Sequence, residues 1–265
     1  MRFLNIILTF LLCFYVYPAL SSNNFNLIPI EVSKNVFIFL GDNNDVNENN
    51  GGAISNTGFI IGENAVLVID AGPSYIYASN VIEIINSYSD LPIKYLVVTH
   101  HHADHSFGIS KYLEINTEII MAEAEVKRYI KYGNRSLRQL SNQIGKEWFL
   151  NTKINSFQYK EKEYPIILDL GARNIILELY EEGHSDGDLI VKDIKSNTLF
   201  VGDLVFNQRA PTTPHANIYN WKNYLDEIIK KDWDILIPGH GNIIKNKEDV
   251  LQTKKWITFF DKTAK

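Results

Sequence analysis

The sequence predicts a mixed α/β domain in which short buried strands alternate with amphipathic helices. Residues 65–69 and 93–98 are short, apolar and rich in β-branched side chains, as buried strands are. Between them, Ser74 can cap a helix with one apolar face. That face consists of Ala78, Val81, Ile82 and Ile85. A strand, helix, strand unit of this kind makes its two strands parallel neighbours.

The remaining predicted elements continue this alternation through both halves of the chain. Further strands are predicted at residues 36–40, 57–61, 118–121, 175–180, 188–193, 198–201 and 233–237. Helices are predicted to start at Asp104 or Ser106, and to span residues 219–230 and 250–260.

Two segments have alternative interpretations. Two helices are predicted within residues 126–164. This segment carries nine Lys or Arg against three Glu, which fits a cationic lid or a solvated helical surface. The Asn- and Asp-rich loop at residues 41–52 fits a mobile flap over a site or a plain surface hairpin.

The amino terminus predicts an exported protein. Met1 and Arg2 precede an almost unbroken apolar run over residues 3–17, and small residues follow. We therefore predict a signal peptide over residues 1–22 and one domain over residues 23–265, in the periplasm or outside the cell. An uncleaved membrane anchor is the alternative; after cleavage no stable anchor would remain.

Composition narrows the chemistry of the predicted domain. A chain of 265 residues is long enough for one large core, and its net charge of −5 gives no general attraction to nucleic acid. The only cysteine is Cys13, inside the predicted signal. The mature protein would therefore have neither thiolate ligands nor a cysteine nucleophile.

Residues 99–105 read T-H-H-H-A-D-H and directly follow a predicted strand. Crowded imidazoles repel each other when protonated, whereas a divalent cation binds their neutral nitrogens. Three later strands also end in His or Asp, each after a glycine: His184, Asp203 and His240. Because strand ends can meet at one rim, we predict that these residues converge on a metal site.

These four motifs, in this order, resemble the metallo-β-lactamase-fold hydrolase superfamily, whose pattern is H-x-H-x-D-H, then G-H, G-D and a late G-H. The resemblance implies a four-layer αββα sandwich, in the α/β (α+β) class, with a two-metal site on one edge. It implies that the first metal is held by His100, His102 and His184. It implies that the second is held by Asp104, His105 and His240, with Asp203 bridging both. Such donors suit two Zn²⁺ per chain, and iron or manganese would also accept them.

Some flanking residues resemble particular branches of this superfamily. Aspartate at position 203 resembles the residue that the esterase, thioesterase and nuclease branches carry at the corresponding position. The G-D-L-V-F run at residues 202–206, followed by Arg209 and Pro211 and combined with the export signal, is similar to the exported quinoprotein relay system zinc metallohydrolases.

The resemblance implies a metal-dependent hydrolase of a small molecule. A hydroxide bridging two zinc ions would attack an ester, thioester, lactam or phosphoester bond, and Asp104 would orient it and carry a proton. Asp70 is a candidate to fix a ligand imidazole, or else a residue of a helix N-terminal turn. Arg209 and His215 could face substrate or be ordinary loop residues. His101, between two predicted ligands, should point away from the metals.

Two other functions are consistent with the same motifs. A mononuclear iron oxidoreductase similar to the persulfide dioxygenases would use His100, His102, His184 and Asp203, without the second set. A non-catalytic, metal-dependent accessory protein of an exported redox system would need the metal but no reaction.

Overall fold

The computed structural model describes residues 24–159 and 163–263, and its first feature is a six-stranded sheet. Its strands, β1 to β6, are Ile30–Ser33, Val36–Phe39, Thr57–Ile61, Val66–Ile69, Ile93–Val97 and Glu118–Ile120. They lie in sequence order, the first four antiparallel and the last three mutually parallel. The parallel pairing of β4 and β5 is the one that the strand, helix, strand unit predicts.

A second sheet of five strands contributes the carboxyl half. Strands β7 to β12 are Ile166–Asp169, Asn174–Glu181, Gly187–Asp193, Thr198–Phe200, Phe206–Asn207 and Ile235–Ile237, and β13 is His240–Gly241. The sheet has the order β12-β10-β9-β8-β7, with only β10 and β12 parallel. Strands β11 and β13 form a separate parallel pair beside it.

In the described part of the chain, six α-helices cover the two sheets. Helices α1 to α6 are Tyr75–Tyr88, Ala103–Ser106, Ile109–Glu114, Glu123–Ile144, Ile218–Lys230 and Lys247–Thr263. Two short 3₁₀ helices, Lys146–Phe149 and Gly202–Leu204, complete the regular structure of the described residues. The Ser74 side chain caps α1 by accepting a hydrogen bond from the Tyr77 N–H, as the sequence predicts.

Strand β2 shows why the domain has four layers. All four of its residues are buried, but Phe37 and Phe39 face a core beneath α1, α3 and α4, whereas Val36 and Ile38 face a core between the two sheets. A third core, containing Trp221, lies between the second sheet and helices α5 and α6. Three apolar cores separate four layers, so the predicted αββα sandwich is confirmed.

The structure differs from the predicted elements in several places. Strands β1 and β7 are sheet edges with partly exposed residues, so they lack the apolar signal of the buried strands. Residues 126–164 contain one 22-residue helix, α4, followed by a 3₁₀ turn, rather than two helices. Gly133, a residue type that weakens helix interiors, is buried within α4 against Ile154. Helix α2 starts at Ala103, after His102, and has no side-chain cap.

The predicted signal peptide, residues 1–22, lies outside the described residues. Within residues 24–159 and 163–263, no helix has both the length and the apolar character needed to cross a bilayer.

Candidate metal centre

Four strand ends bring the predicted residues together where the two sheets meet. Residues 99–105 follow β5 of the first sheet, and His184, Asp203 and His240 follow β8, β10 and β12 of the second. Backbone hydrogen bonds join the sheets here, from Leu189 N to Thr99 O (2.9 Å) and from Asn56 N to Gly239 O (2.7 Å). The Asn56 side chain also donates to two carbonyls of the 238–241 turn.

Three imidazoles and one carboxylate oxygen form what we call the first donor group: His100 Nε2, His102 Nδ1, His184 Nε2 and Asp203 Oδ2. The nitrogen of His102 lies 2.9 Å from that of His100 and 3.2 Å from that of His184. Asp203 Oδ2 lies 3.6 Å from His100 Nε2 and 3.4 Å from His184 Nε2.

The second donor group consists of Asp104 Oδ2, His105 Nε2, His240 Nε2 and the other oxygen of Asp203, Oδ1. Oδ1 lies 3.1 Å from His105 Nε2 and 3.2 Å from His240 Nε2. Asp104 Oδ2 lies 3.5 Å and 3.3 Å from these nitrogens. Asp203 therefore presents one carboxylate oxygen to each donor group.

The spacing and the unpaired atoms of these groups fit a bound cation. Ligands around a tetrahedral zinc ion, at bond lengths near 2.0–2.1 Å, are about 3.3 Å apart, close to the separations found here. His105 Nε2 and Asp203 Oδ1 are buried and, although they lie 3.1 Å apart, neither has a partner in hydrogen-bond geometry among the described residues. Buried polar atoms rarely lack a partner, and a divalent metal ion would satisfy both.

A hydrogen-bond network around Asp70 orients two of the imidazoles. Thr99 donates to Asp70 from both its N–H (2.7 Å) and its hydroxyl (3.0 Å). Because the hydroxyl hydrogen is used there, the Thr99 oxygen accepts from His100 Nδ1 at 3.1 Å. His105 Nδ1 donates directly to Asp70 at 2.8 Å. Both rings thus keep Nε2 free, which is the arrangement that outer partners impose on metal-binding histidines.

Asp70 reaches these partners from an unusual backbone conformation. It has φ of 61°, in the left-handed region that few non-glycine residues adopt, directly after β4. The contacts of Asp70 favour a residue that fixes the imidazoles over an ordinary residue of a helix N-terminal turn. Its carboxylate bonds the imidazole of His105 and reaches His100 through Thr99.

The other two ligand candidates of the second half are held differently. His240 Nδ1 donates to the Ile54 carbonyl at 2.8 Å, and its ring stacks on Phe206 at 5.0 Å between centroids. The His184 ring meets Trp221 edge to face at 5.1 Å. Gly239 lets the Asp203 carboxylate lie against the backbone, because a Cβ at that position would overlap Asp203 Oδ1.

Burial and neighbouring charges set the protonation of these imidazoles. Burial lowers the pKa of His100 and of His184 well below its ordinary value, and lowers the pKa of His102 to about 4. Burial also acts to lower the pKa of His105, but Asp104, Asp203 and Asp70 outweigh it and raise that pKa well above the ordinary value. The second donor group therefore favours positive charge at its centre.

The three remaining candidate residues lie around this centre. His101 is buried and belongs to neither donor group; its backbone N–H and Nδ1 contact Glu125 at 2.9 and 2.5 Å. The exposed His215 places Nδ1 3.1 Å from His102 Nε2. Arg209 donates to backbone carbonyls of residues 42–44 and pairs with Asp45.

Glu125 is a site residue that the sequence reasoning missed. It is buried at the start of α4, where Oε2 accepts from His101 and Oε1 accepts from Gly187 N at 3.0 Å. It thereby ties α4 to the turns that carry His102 and His184. The sequence gives little signal for this role, since an acidic residue in the first turn of a helix is ordinarily solvated.

The two donor groups lie on the floor of a cavity of about 890 Å³. One wall is formed by α4, from Arg128 to Gln143. The loop at residues 41–52 contributes Val46 and Gly52, so it lines the cleft as well as linking two antiparallel strands. Arg209 contacts this loop through hydrogen bonds to the carbonyls of residues 42–44 and an ion pair with Asp45.

Comparison with solved structures agrees with this fold. The metallo-beta-lactamase from Pontibacter korlensis has a TM-score of 0.70 and 16% identity, over 88% of this chain and 99% of that chain. The DIM-1 metallo-beta-lactamase exposed to ceftazidime has a TM-score of 0.66 and 19% identity, over 89% and 99%. A structure of TMB-1 has a TM-score of 0.64 and 19% identity, over 89% and 98%.

The sequence of the chain also matches the model of a protein family. The model described as the metallo-beta-lactamase superfamily matches residues 50–240, which span both donor groups. The His and Asp clusters in that segment could hold divalent metal ions, as a metal-dependent enzyme of this family requires. The chain belongs to the metallo-β-lactamase superfamily.

Proposed function

We propose that the protein is an exported hydrolase that holds two zinc ions and cleaves an ester, thioester, lactam or phosphoester bond in a small molecule. The observation that carries this proposal is the position of Asp203, whose two oxygens each lie 3.1–3.6 Å from nitrogens of a different donor group. Family membership supports the reaction class.

In this proposal the first ion is held by His100, His102, His184 and Asp203, and the second by Asp104, His105, His240 and Asp203. When bound, the metal pair supplies an activated water and polarises the oxygen of the bond to be cleaved. Nitrogen and carboxylate donors without sulfur suit zinc, and they also accept iron or manganese.

Asp104 is the acid of the centre that is most accessible from the cleft. Its side chain is 16% exposed, compared with 3% for Asp203. Asp104 Oδ2 faces His105 and His240, while Oδ1 has no protein partner among the described residues. We assign to Asp104 the orientation of the water and the transfer of a proton through Oδ1 to the leaving group.

The completeness of the second donor group supports a two-metal hydrolase over a one-iron oxidoreductase. The oxidoreductase alternative needs only the first group, yet Asp104, His105 and His240 also lie within metal-ligand distances of one another. Metal analysis of the purified protein should therefore find close to two zinc ions per chain. One iron per chain, with oxygen uptake on a persulfide, would contradict the proposal.

A substrate panel tests the reaction. Zinc-loaded protein should hydrolyse at least one of a set of chromogenic esters, thioesters, lactams and phosphodiesters, and His102→Ala should abolish this turnover. Full zinc occupancy without turnover on any of the four would overturn the hydrolase assignment and favour the accessory role.

The export part of the proposal has its own test. Mass spectrometry of the full-length gene product, recovered from a bacterial host, should find a mature chain beginning at Asn23. A chain that retains residues 1–22 and sediments with membranes would instead support the uncleaved anchor.

A further inference from the structure

Helix α4 presents a long polar face to the cleft beside the donor groups. The residues that line the cavity recur at helical spacing, namely Arg128, Tyr132, Arg135, Ser136, Gln139 and Gln143. The sixteen residues from Arg128 to Gln143 span about 22 Å of α-helix, so this face is a wall rather than a single contact point. No carboxylate belongs to the wall, and the acids that line the cavity, Asp104 and Asp203, are both on its floor.

Three arginines line this cavity, and two of them are already engaged. Arg128 makes a two-pronged pair with Asp186, through Nε and through Nη2 at 2.8 Å. Arg209 is held by the carbonyls of the 42–44 loop and by Asp45. Among the described residues, Arg135 has no hydrogen bond or ion pair. Its guanidinium is therefore available to a ligand, and its planar donors match a carboxylate or phosphate.

Apolar side chains line the space near this free cation. Tyr129, Leu140 and Phe149 contribute from the α4 side, and Val46 and Phe107 from elsewhere in the cleft. Ligand sites combine apolar surface with a few polar groups that fix orientation, and this cleft has that composition.

Resting on the proposed hydrolase function, we propose that the substrate is an organic anion and that Arg135 is the residue that binds its charged end. The hydrolysable bond lies over the donor groups, an apolar segment lies along the cleft, and a carboxylate or phosphate at the far end pairs with Arg135. Arg135 in this role sets specificity and takes no part in bond cleavage.

The chain provides a matched control for this residue. Arg138 lies on the same helix three residues away, has no partner among the described residues, and does not line the cavity. Arg135→Gln and Arg138→Gln therefore remove the same charge from exposed positions of the same helix, and only the first removes it from the cleft. Arg135→Lys keeps the charge.

The kinetic test uses two esters that differ only in their far end, mono-4-nitrophenyl adipate and 4-nitrophenyl hexanoate. Arg135→Gln should raise KM for the adipate ester about tenfold, as expected for losing one charge-assisted hydrogen bond, with kcat changed less than about twofold. The hexanoate ester should be unaffected. Arg138→Gln should match wild type on both esters, and Arg135→Lys should keep most of the preference. Equal changes in the two glutamine variants, or on the two esters, would overturn the assignment.

A binding measurement separates this inference from the proposed reaction. Equilibrium dialysis of adipic acid mono-4-nitroanilide against hexanoic acid 4-nitroanilide needs no turnover. Wild type and Arg138→Gln should bind the charged anilide about tenfold more tightly than the neutral one, and Arg135→Gln should lose this difference. If dialysis shows that pattern while no ester is cleaved, the hydrolase proposal fails for esters and the anion site stands. If wild type binds both anilides equally, Arg135 is not an anion site.

Discussion

The two donor groups share Asp203 but lie in opposite electrostatic surroundings. The first consists of three imidazoles whose pKa values burial lowers, so all three are neutral near pH 7. The second contains His105, whose pKa is raised because Asp104, Asp203 and Asp70 outweigh its burial. Neutral nitrogens are ready to bind a metal ion, whereas a protonated imidazole must first release its proton. In the proposed two-metal centre, Asp203 would thus join a group whose imidazoles are already neutral with a group that must release a proton to bind its ion.

The largest effect should follow from removing the shared carboxylate. Asp203→Ala takes one ligand from each group and leaves buried nitrogens facing one another, so we expect fewer than one metal ion per chain and an activity loss above about 100-fold. Metal content by mass spectrometry and turnover on the best panel substrate measure both. Asp90→Asn, at an exposed position, is the control and should match wild type. Two retained ions in Asp203→Ala would refute the bridging role.

Removing one imidazole from each group should separate the two sites. His184→Ala should lose the first ion and keep the second, and His240→Ala should do the reverse, each leaving about one ion per chain. Cobalt substitution offers a spectroscopic readout, since the remaining ion has mainly nitrogen ligands in one variant and more oxygen ligands in the other. Identical spectra from the two variants would mean that the groups form a single site.

The sequence predicts this centre better than it predicts the surroundings of the centre. His184 and His240 are recognisable because each follows a glycine at the end of an apolar strand, a local pattern that needs no tertiary information. Glu125 cannot be recognised in this way, because its partners His101 and Gly187 are 24 and 62 residues away and meet it only after the sheets pack. The single long α4 is also hard to predict locally, since Gly133 disfavours a helix interior and its contact with Ile154 forms only in the folded chain.

Acidification should distinguish the groups by the order in which they lose metal. A raised pKa at His105 means that protons compete there at higher pH than at the first group, where the pKa of His102 is about 4. As the pH falls from 8 to 5, the second ion should leave first, giving a plateau near one ion per chain. Dialysis at each pH followed by metal analysis measures the occupancy. A direct fall from two ions to none would contradict the difference between the groups.

Asp70→Asn should weaken the second group more than the first. Asp70 bonds His105 directly but reaches His100 only through Thr99, so affinity for the second ion should fall about 10- to 100-fold and affinity for the first should change less. The substitution also removes one of the carboxylates that raise the pKa of His105, so His105 should lose its proton at a lower pH than in the wild type. Chelator competition resolves the two affinities, and equal losses at both sites would show that Asp70 acts on the whole fold.

The smallest effect should come from His215, which touches only the first group. His102 directs Nδ1 into that group, and its Nε2–H donates to His215 Nδ1 at 3.1 Å, a contact that holds the required tautomer. Because His215 is exposed, water can replace the lost acceptor in His215→Ala, so affinity for the first ion should fall less than about tenfold. His215→Gln, which keeps an acceptor, should restore part of the loss, and the second ion should be unaffected. A loss of both ions in His215→Ala would mean that this loop supports the whole centre, and the two groups would then not be independent.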